Sequence, residues 1–201
     1  MNKRIVVLAS GRGSNFQAVI DAVAAGEIPG HCVALITDNP EAYAIERAEN
    51  ARIPAVVIEY ASFPSRDMYE RALLAAMQQQ GADLFVLAGY MRILGKSIVQ
   101  AFPGKVVNIH PALLPSFTGL HAQRQAVDYG VKVAGCTVHF VDESLDCGPI
   151  ILQRCVPVLS DDDEETLAER ILEEEHKAFP EAIRLFCEDR LVINGRRVLI
   201  Q

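Results

Sequence analysis

Short apolar runs recur at strand length over residues 5–9, 32–37, 55–58, 84–87 and 106–110. Between them, residues 15–25, 41–50, 65–80 and 96–101 carry apolar positions at helical spacing. Gly26 and Gly81 stand where helix-ending glycines belong. This alternation predicts β-α-β units. Because such crossovers are right-handed and place helices over the sheet, it predicts an α/β fold: a Rossmann-like, doubly wound, mostly parallel sheet with helices on both faces. The later third changes character. Strand-like runs at 135–141 and 150–158 flank a loop at 142–149, and the acidic stretch 161–165 predicts the start of a helix over 166–187 that Pro180 kinks or interrupts. Asn194-Gly195 between β-prone segments predicts a closing hairpin, giving a mixed carboxyl-terminal part.

With 201 residues, half of them hydrophobic, the chain can bury a large core, and 1–201 is expected to be a single domain. A formal net charge of -7 argues against a nucleic-acid binder. Arg12, Arg66, Arg92 and Arg124 lie beside expected loops or helix starts and could neutralise a small anion, although ordinary solvated arginine is the simpler expectation. Five cysteines without a C-x-x-C pair predict neither a disulfide framework nor a zinc site, which fits a reducing cytosol. The first apolar run is too short for a signal sequence or a membrane span.

The chemistry concentrates in Asn108-Ile109-His110-Pro111 and Ser144-Leu145-Asp146-Cys147-Gly148-Pro149. On a strand, Asn108 and His110 share one face, and Pro111 ends the strand so that the histidine lies at its carboxyl end, where open α/β sheets place ligands. An amide and an imidazolium can together bind the oxyanion formed when an amine attacks an acyl group, with Asp146 to favour the charged ring and carry the departing proton. No G-x-S-x-G elbow, H-E-x-x-H pattern or familiar metal-ligand spacing is present, so neither a covalent nucleophile nor a metal is expected. His139 reads as a hydrogen-bonded core residue. Ser10-Gly11-Arg12-Gly13-Ser14-Asn15, between the first strand and first helix, is an anion pocket candidate with only two of the three dinucleotide-loop glycines.

Gly11-Arg12-Gly13-Ser14-Asn15, Leu87-Ala88-Gly89-Tyr90-Met91-Arg92-Ile93-Leu94, Asn108-Ile109-His110-Pro111-Ala112-Leu113-Leu114-Pro115 and Leu145-Asp146-Cys147-Gly148-Pro149-Ile150 appear in an order and spacing that resemble the phosphoribosylglycinamide formyltransferases. These are folate-dependent enzymes of purine synthesis, and the likeness runs nearly the full length. The resemblance implies formyl transfer from 10-formyltetrahydrofolate to the amine of phosphoribosylglycinamide, with Asn108, His110 and Asp146 catalytic and no metal. It implies that Gly13, Ser14, Asn15 and Glu175 hold phosphoribosylglycinamide. It places the folate on Arg66, Met91, Arg92, Ile93, Leu94, Asn108, Asp142, Glu143, Ser144, Leu145 and Asp146. Thr118 and Cys147 stand where many relatives carry proline and glycine, so altered loop stiffness is expected, with Cys147 less tolerant of the required dihedrals.

Two related activities compete. Methionyl-tRNA formyltransferases normally add a carboxyl-terminal domain, and formyltetrahydrofolate deformylases an amino-terminal regulatory one; neither is expected in these 201 residues. A non-catalytic phosphate-binding module is a third reading, but it has no need of Asn108, His110 and Asp146 together.

Overall fold

Ile5, Val6, Val7 and Leu8 of strand β1 (Lys3–Leu8) are fully buried, the signature of a parallel strand covered on both faces. The structure is a computed structural model that describes residues 2–201. The chain divides into two compact units, one ending at Val107 and the other beginning at Asn108.

In the first unit, β1 is followed by α1 (Ser14–Ala24), β2 (Gly30–Thr37), α2 (Ala44–Asn50), β3 (Ala55–Val57), α3 (Arg66–Gln79), β4 (Leu84–Leu87) and α4 (Lys96–Ala101). The strands β3, β2, β1 and β4 lie in that order, every pair parallel. The chain winds outward from β1 through β2 to β3 and then returns to the other side of β1, so winding reverses between β1 and β4. Such a reversal opens a crevice at the strands' carboxyl ends. There Ser10 closes the two following loops together: its N–H donates to Gly89 O at 3.1 Å, and its hydroxyl accepts from Met91 N at 2.9 Å. The predicted helix at 41–50 begins only at Ala44, because Asn39 Oδ1 takes the Glu41 N–H at 3.0 Å and holds a turn instead.

Strand β5 (Val106–His110) carries the chain across the division. The second unit continues with α5 (Ala122–Tyr129), β6 (Val133–Phe140), β7 (Ile150–Pro157), α6 (Glu164–Cys187), β8 (Leu191–Asn194) and β9 (Arg197–Ile200). Strands β6 and β7 are antiparallel, β9 bridges β7 in parallel at Ile150 and Arg197, and β8 and β9 form the expected hairpin. This is the mixed part foreseen. The pair Asn194 and Arg197 closes the turn, leaving Gly195, at φ 60°, and Arg196 as its two loop residues. Helix α6 lies on β6 and β7. It starts at a reciprocal cap between Asp163 and Thr166 and runs unbroken through Pro180. The proline removes one helical hydrogen bond, but Pro180 and its neighbours Ala178, Phe179, Ala182 and Ile183 are buried, and that packing keeps the helix continuous. Helix α5 had no counterpart in the sequence pattern. It has eight residues and no side-chain cap, and the left-handed His121 and Gly130 bound it.

Candidate active site

Asn108 and His110 lie on one face of β5, and Pro111 ends the strand directly after the histidine. Position 139, two residues beyond Thr137 on β6, faces the same cluster. The His110 ring is buried, with 6% of its side chain exposed. Its Nε2 lies 2.8 Å from Phe117 O; a carbonyl only accepts, so this nitrogen carries a proton. Its Nδ1 lies 3.6 Å from Asp146 Oδ2, and the Asp146 side chain is equally enclosed at 8% exposure. Asp146 Oδ2 also accepts from Gly119 N at 2.8 Å. The three residues singled out from sequence therefore converge.

The structure adds His139 to them. It is buried, its Nε2 sits 3.2 Å from Asn108 Nδ2 and 3.9 Å from Asp146 Oδ1, and its Nδ1 lies 2.9 Å from Phe140 O. Burial lowers its proton affinity below the ordinary histidine value; the neighbouring Phe140 carbonyl, Asp146 and Asp142 oppose that shift, and His110 reinforces it. His139 is thus the hydrogen-bonded core residue expected, and Asn108 is one of its partners. Thr137, its neighbour on that face, accepts from Leu114 N at 3.0 Å and donates to Ala112 O at 2.6 Å, fixing the segment after His110. Alternation along β6 was the available signal; the partner across the sheet was not visible in the sequence.

The loop joining β6 to β7 carries Asp142, Glu143, Ser144, Leu145 and Asp146. Ser144 N donates to Asp142 Oδ1 at 2.9 Å, and Leu145 is half-exposed. The residue in the left-handed region is Asp146, at φ 51°, not Cys147. The dihedral penalty expected at Cys147 therefore falls one position earlier, on a residue type that tolerates it better than most. Gly148 is needed for space: a Cβ there would lie 1.7 Å from Phe140 O. Burial pushes the Cys136 thiol up to about 12, and Glu175, itself buried on α6, adds to the rise.

In the first unit, Gly13 caps α1 in the left-handed region at φ 66°, without a side-chain cap. A Cβ at Gly13 would lie 2.9 Å from Ala44 Cβ, so both dihedral and space require glycine. Ser14 and the buried Asn15 occupy the first turn, whose amides have no acceptor within the helix. Met91 and Ile93 are exposed on the loop after β4, and Leu94 is partly covered. Beneath the loop, Tyr90 is buried with its hydroxyl bonded to that of Tyr69, and burial raises both phenols.

Arg12, Arg66 and Arg124 are exposed, as ordinary solvated arginines are, and only Arg92 is tied to a buried carboxylate. Arg92 Nε lies 2.8 Å from Asp38 Oδ2, with its guanidinium 4.1 Å above the Tyr60 ring. Arg66 binds Glu70 at 2.6 Å and donates to Ile93 O at 3.2 Å, while Arg124 pairs with Glu164 at 2.7 Å. Asp38 and Tyr60 were not read from sequence, and no local pattern marks them. With the Arg92 side chain held inward, the loop offers its backbone and the Met91 and Ile93 side chains. Among the described residues no cluster of histidine, cysteine and carboxylate side chains could hold a metal ion, and no helix is long and apolar enough to cross a membrane.

Comparison with known proteins places these residues in context. The sequence profile of a family described as formyl transferase matches residues 3–183. The crystal structure of glycinamide ribonucleotide transformylase 1 from Symbiobacterium toebii is similar with a TM-score of 0.97 and 54% sequence identity, over 99% of this chain and 94% of that one. The phosphoribosylglycinamide formyltransferase of Bacillus subtilis (strain 168) is 42% identical over 182 residues, 90% of this chain and 93% of its own. The trifunctional purine biosynthetic protein adenosine-3 of Drosophila melanogaster is 45% identical over 194 residues, 96% of this chain. The chain spans only 14% of the length of that fly protein.

Proposed function

The chain belongs to the formyl transferase family, and from that premise we propose that it transfers the formyl group of 10-formyltetrahydrofolate to the amine of phosphoribosylglycinamide. The products are N-formylglycinamide ribonucleotide and tetrahydrofolate, a step of purine biosynthesis. The observation that carries this reading is the convergence of Asn108, His110 and Asp146 in one enclosed cluster. The reading includes one formyltransferase domain over 1–201, acting in the cytosol; the family match covers residues 3–183 of it.

Bound 10-formyltetrahydrofolate supplies the formyl group. Residues in each unit suit it separately: Met91 and Ile93 in the first and Leu145 in the second are exposed apolar side chains, and Asp142 and Asp146 in the second carry polar groups. Arg66, Arg92, Leu94, Glu143 and Ser144 complete this assignment, Arg66 and Arg92 chiefly by holding the loop. Gly13, Ser14 and Asn15 hold the phosphate of phosphoribosylglycinamide at the α1 amino terminus, where the helix start favours an anion, and Glu175 contacts the same substrate.

As the amine attacks, negative charge builds on the formyl oxygen, and Asn108 and His110 donate to it. The Nε2 proton that Phe117 O accepts at rest is the one His110 redirects to this stronger acceptor. Asp146, beside the other ring nitrogen, orients His110 and assists proton movement. The test is to incubate the protein with 10-formyltetrahydrofolate and compare phosphoribosylglycinamide, initiator methionyl-tRNA and water as acceptors. Formylation of phosphoribosylglycinamide well above the other two is expected; preference for either alternative would overturn the assignment.

A further inference from the structure

A buried imidazole has two nitrogens to satisfy, and at His139 the partners decide the state of each. The Nδ1 atom faces Phe140 O at 2.9 Å, and because a carbonyl only accepts, Nδ1 carries a proton. The Nε2 atom faces Asn108 Nδ2 at 3.2 Å; an amide nitrogen only donates, so Nε2 is bare. One other arrangement is chemically consistent: a doubly protonated ring with the Asn108 amide turned over, its oxygen toward Nε2. With His139 only 2% exposed, burial opposes that charged form. The charged and titratable groups facing the ring are Asp146 and Asp142 from the loop after β6 and His110 from β5. Asp146 Oδ1, at 3.9 Å from Nε2, is beyond hydrogen-bond distance and holds no proton there.

We propose that His139 is a positioning residue which, as a neutral ring protonated at Nδ1, holds the Asn108 amide with its nitrogen rather than its oxygen turned into the His110 and Asp146 cluster. This deepens the formyl-transfer reading and rests on it for its catalytic meaning. One Asn108 N–H is taken by His139, and the second is left for the charge that develops on the formyl oxygen. Protonation of His139 turns an acceptor into that place and replaces attraction by repulsion.

The first test needs no turnover. Long-range proton–nitrogen spectra of the whole protein labelled at histidine are expected to show His139 protonated at Nδ1 and bare at Nε2 at neutral pH. A ring protonated at Nε2, or at both nitrogens, overturns the proposal. The second test compares His139→Leu with His139→Gln, because a glutamine oxygen can accept from Asn108 near the place of Nε2 and leucine cannot. His139→Leu is expected to lose about 10-fold or more in kcat with KM for both substrates within about 3-fold, the pattern of an interaction made in the transition state. His139→Gln is expected to recover most of that loss. Equal losses in the two variants, or parental kcat in His139→Leu, would overturn it. Should the parental protein formylate none of the acceptors, the function assignment fails, while the ring spectra still decide whether His139 fixes the amide.

Discussion

Asn108 and His110 stand two residues apart on β5, and the neighbours of each restrict what it can do. The amide faces a bare ring nitrogen of His139, and the imidazole gives its Nε2 proton to a peptide carbonyl. Both are donors held in a largely dry cluster, where such groups act most strongly on developing charge. Replacing either by alanine, His110→Ala or Asn108→Ala, is therefore expected to lower kcat by roughly 100-fold or more, read from steady-state formylation of phosphoribosylglycinamide. Near-parental turnover in either purified variant would remove that residue from the mechanism. These two residues and Asp146 could be read from sequence because an amide, an imidazole and a carboxylate next to strand ends are chemically conspicuous. His139 could not, since a histidine in an apolar strand looks the same whether its neighbour is a core carbonyl or a site amide. Asp38 and Tyr60, which hold Arg92, were invisible for the same reason: their roles come from contacts across 54 and 32 residues of chain.

At the scale of elements, the loop between β6 and β7 depends on one close approach. Gly148 lies against the carbonyl of Phe140, and Pro149 O accepts from Phe140 N at 2.9 Å, so the loop's two ends are clamped. Asp146 sits two residues from that clamp, held by the Gly119 amide. A methyl group at position 148 cannot fit without moving the backbone on one side. Gly148→Ala is accordingly expected to cost roughly 1–3 kcal/mol of stability, the usual scale of overpacking, measured by urea unfolding. It should also lower kcat, because Asp146 moves with the loop. Unchanged stability and turnover would show that the clamp yields freely. The long periodic elements were legible because their apolar spacing repeats several times. Helix α5 was not, for its eight residues give barely two turns, and the start of α2 was displaced by the single side-chain bond from Asn39. Pro180 misled in the other direction: local chemistry predicts a break, but the packing of α6 outweighs one missing hydrogen bond.

For the molecule as a whole, alternating β and α patterns imposed parallel pairing, and the reversal of winding beside β1 follows from the strand order β3, β2, β1, β4. The runs at 135–141 and 150–158 predicted only a mixed part, and the structure supplies the antiparallel direction of β6 and β7. A property that no sequence pattern shows is the pH dependence that burial of His139 imposes on folding. Its proton affinity is lowered in the folded state, whereas in the unfolded chain it titrates near the ordinary value of 6.5. Between those two values the unfolded chain binds the proton and the folded chain does not. Stability contributed by the neutral ring is complete above pH 6.5 and is lost as pH falls through the window below it. One proton limits the slope to about 1.4 kcal/mol per pH unit. Unfolding free energies measured by urea from pH 7.5 to about pH 5, where linkage operates, should therefore decline more steeply for the parental chain than for His139→Gln, which has no ring to protonate. Equal slopes would mean that the ring accepts a proton without cost inside the fold, and then neither its burial nor its bond to Asn108 could keep it neutral.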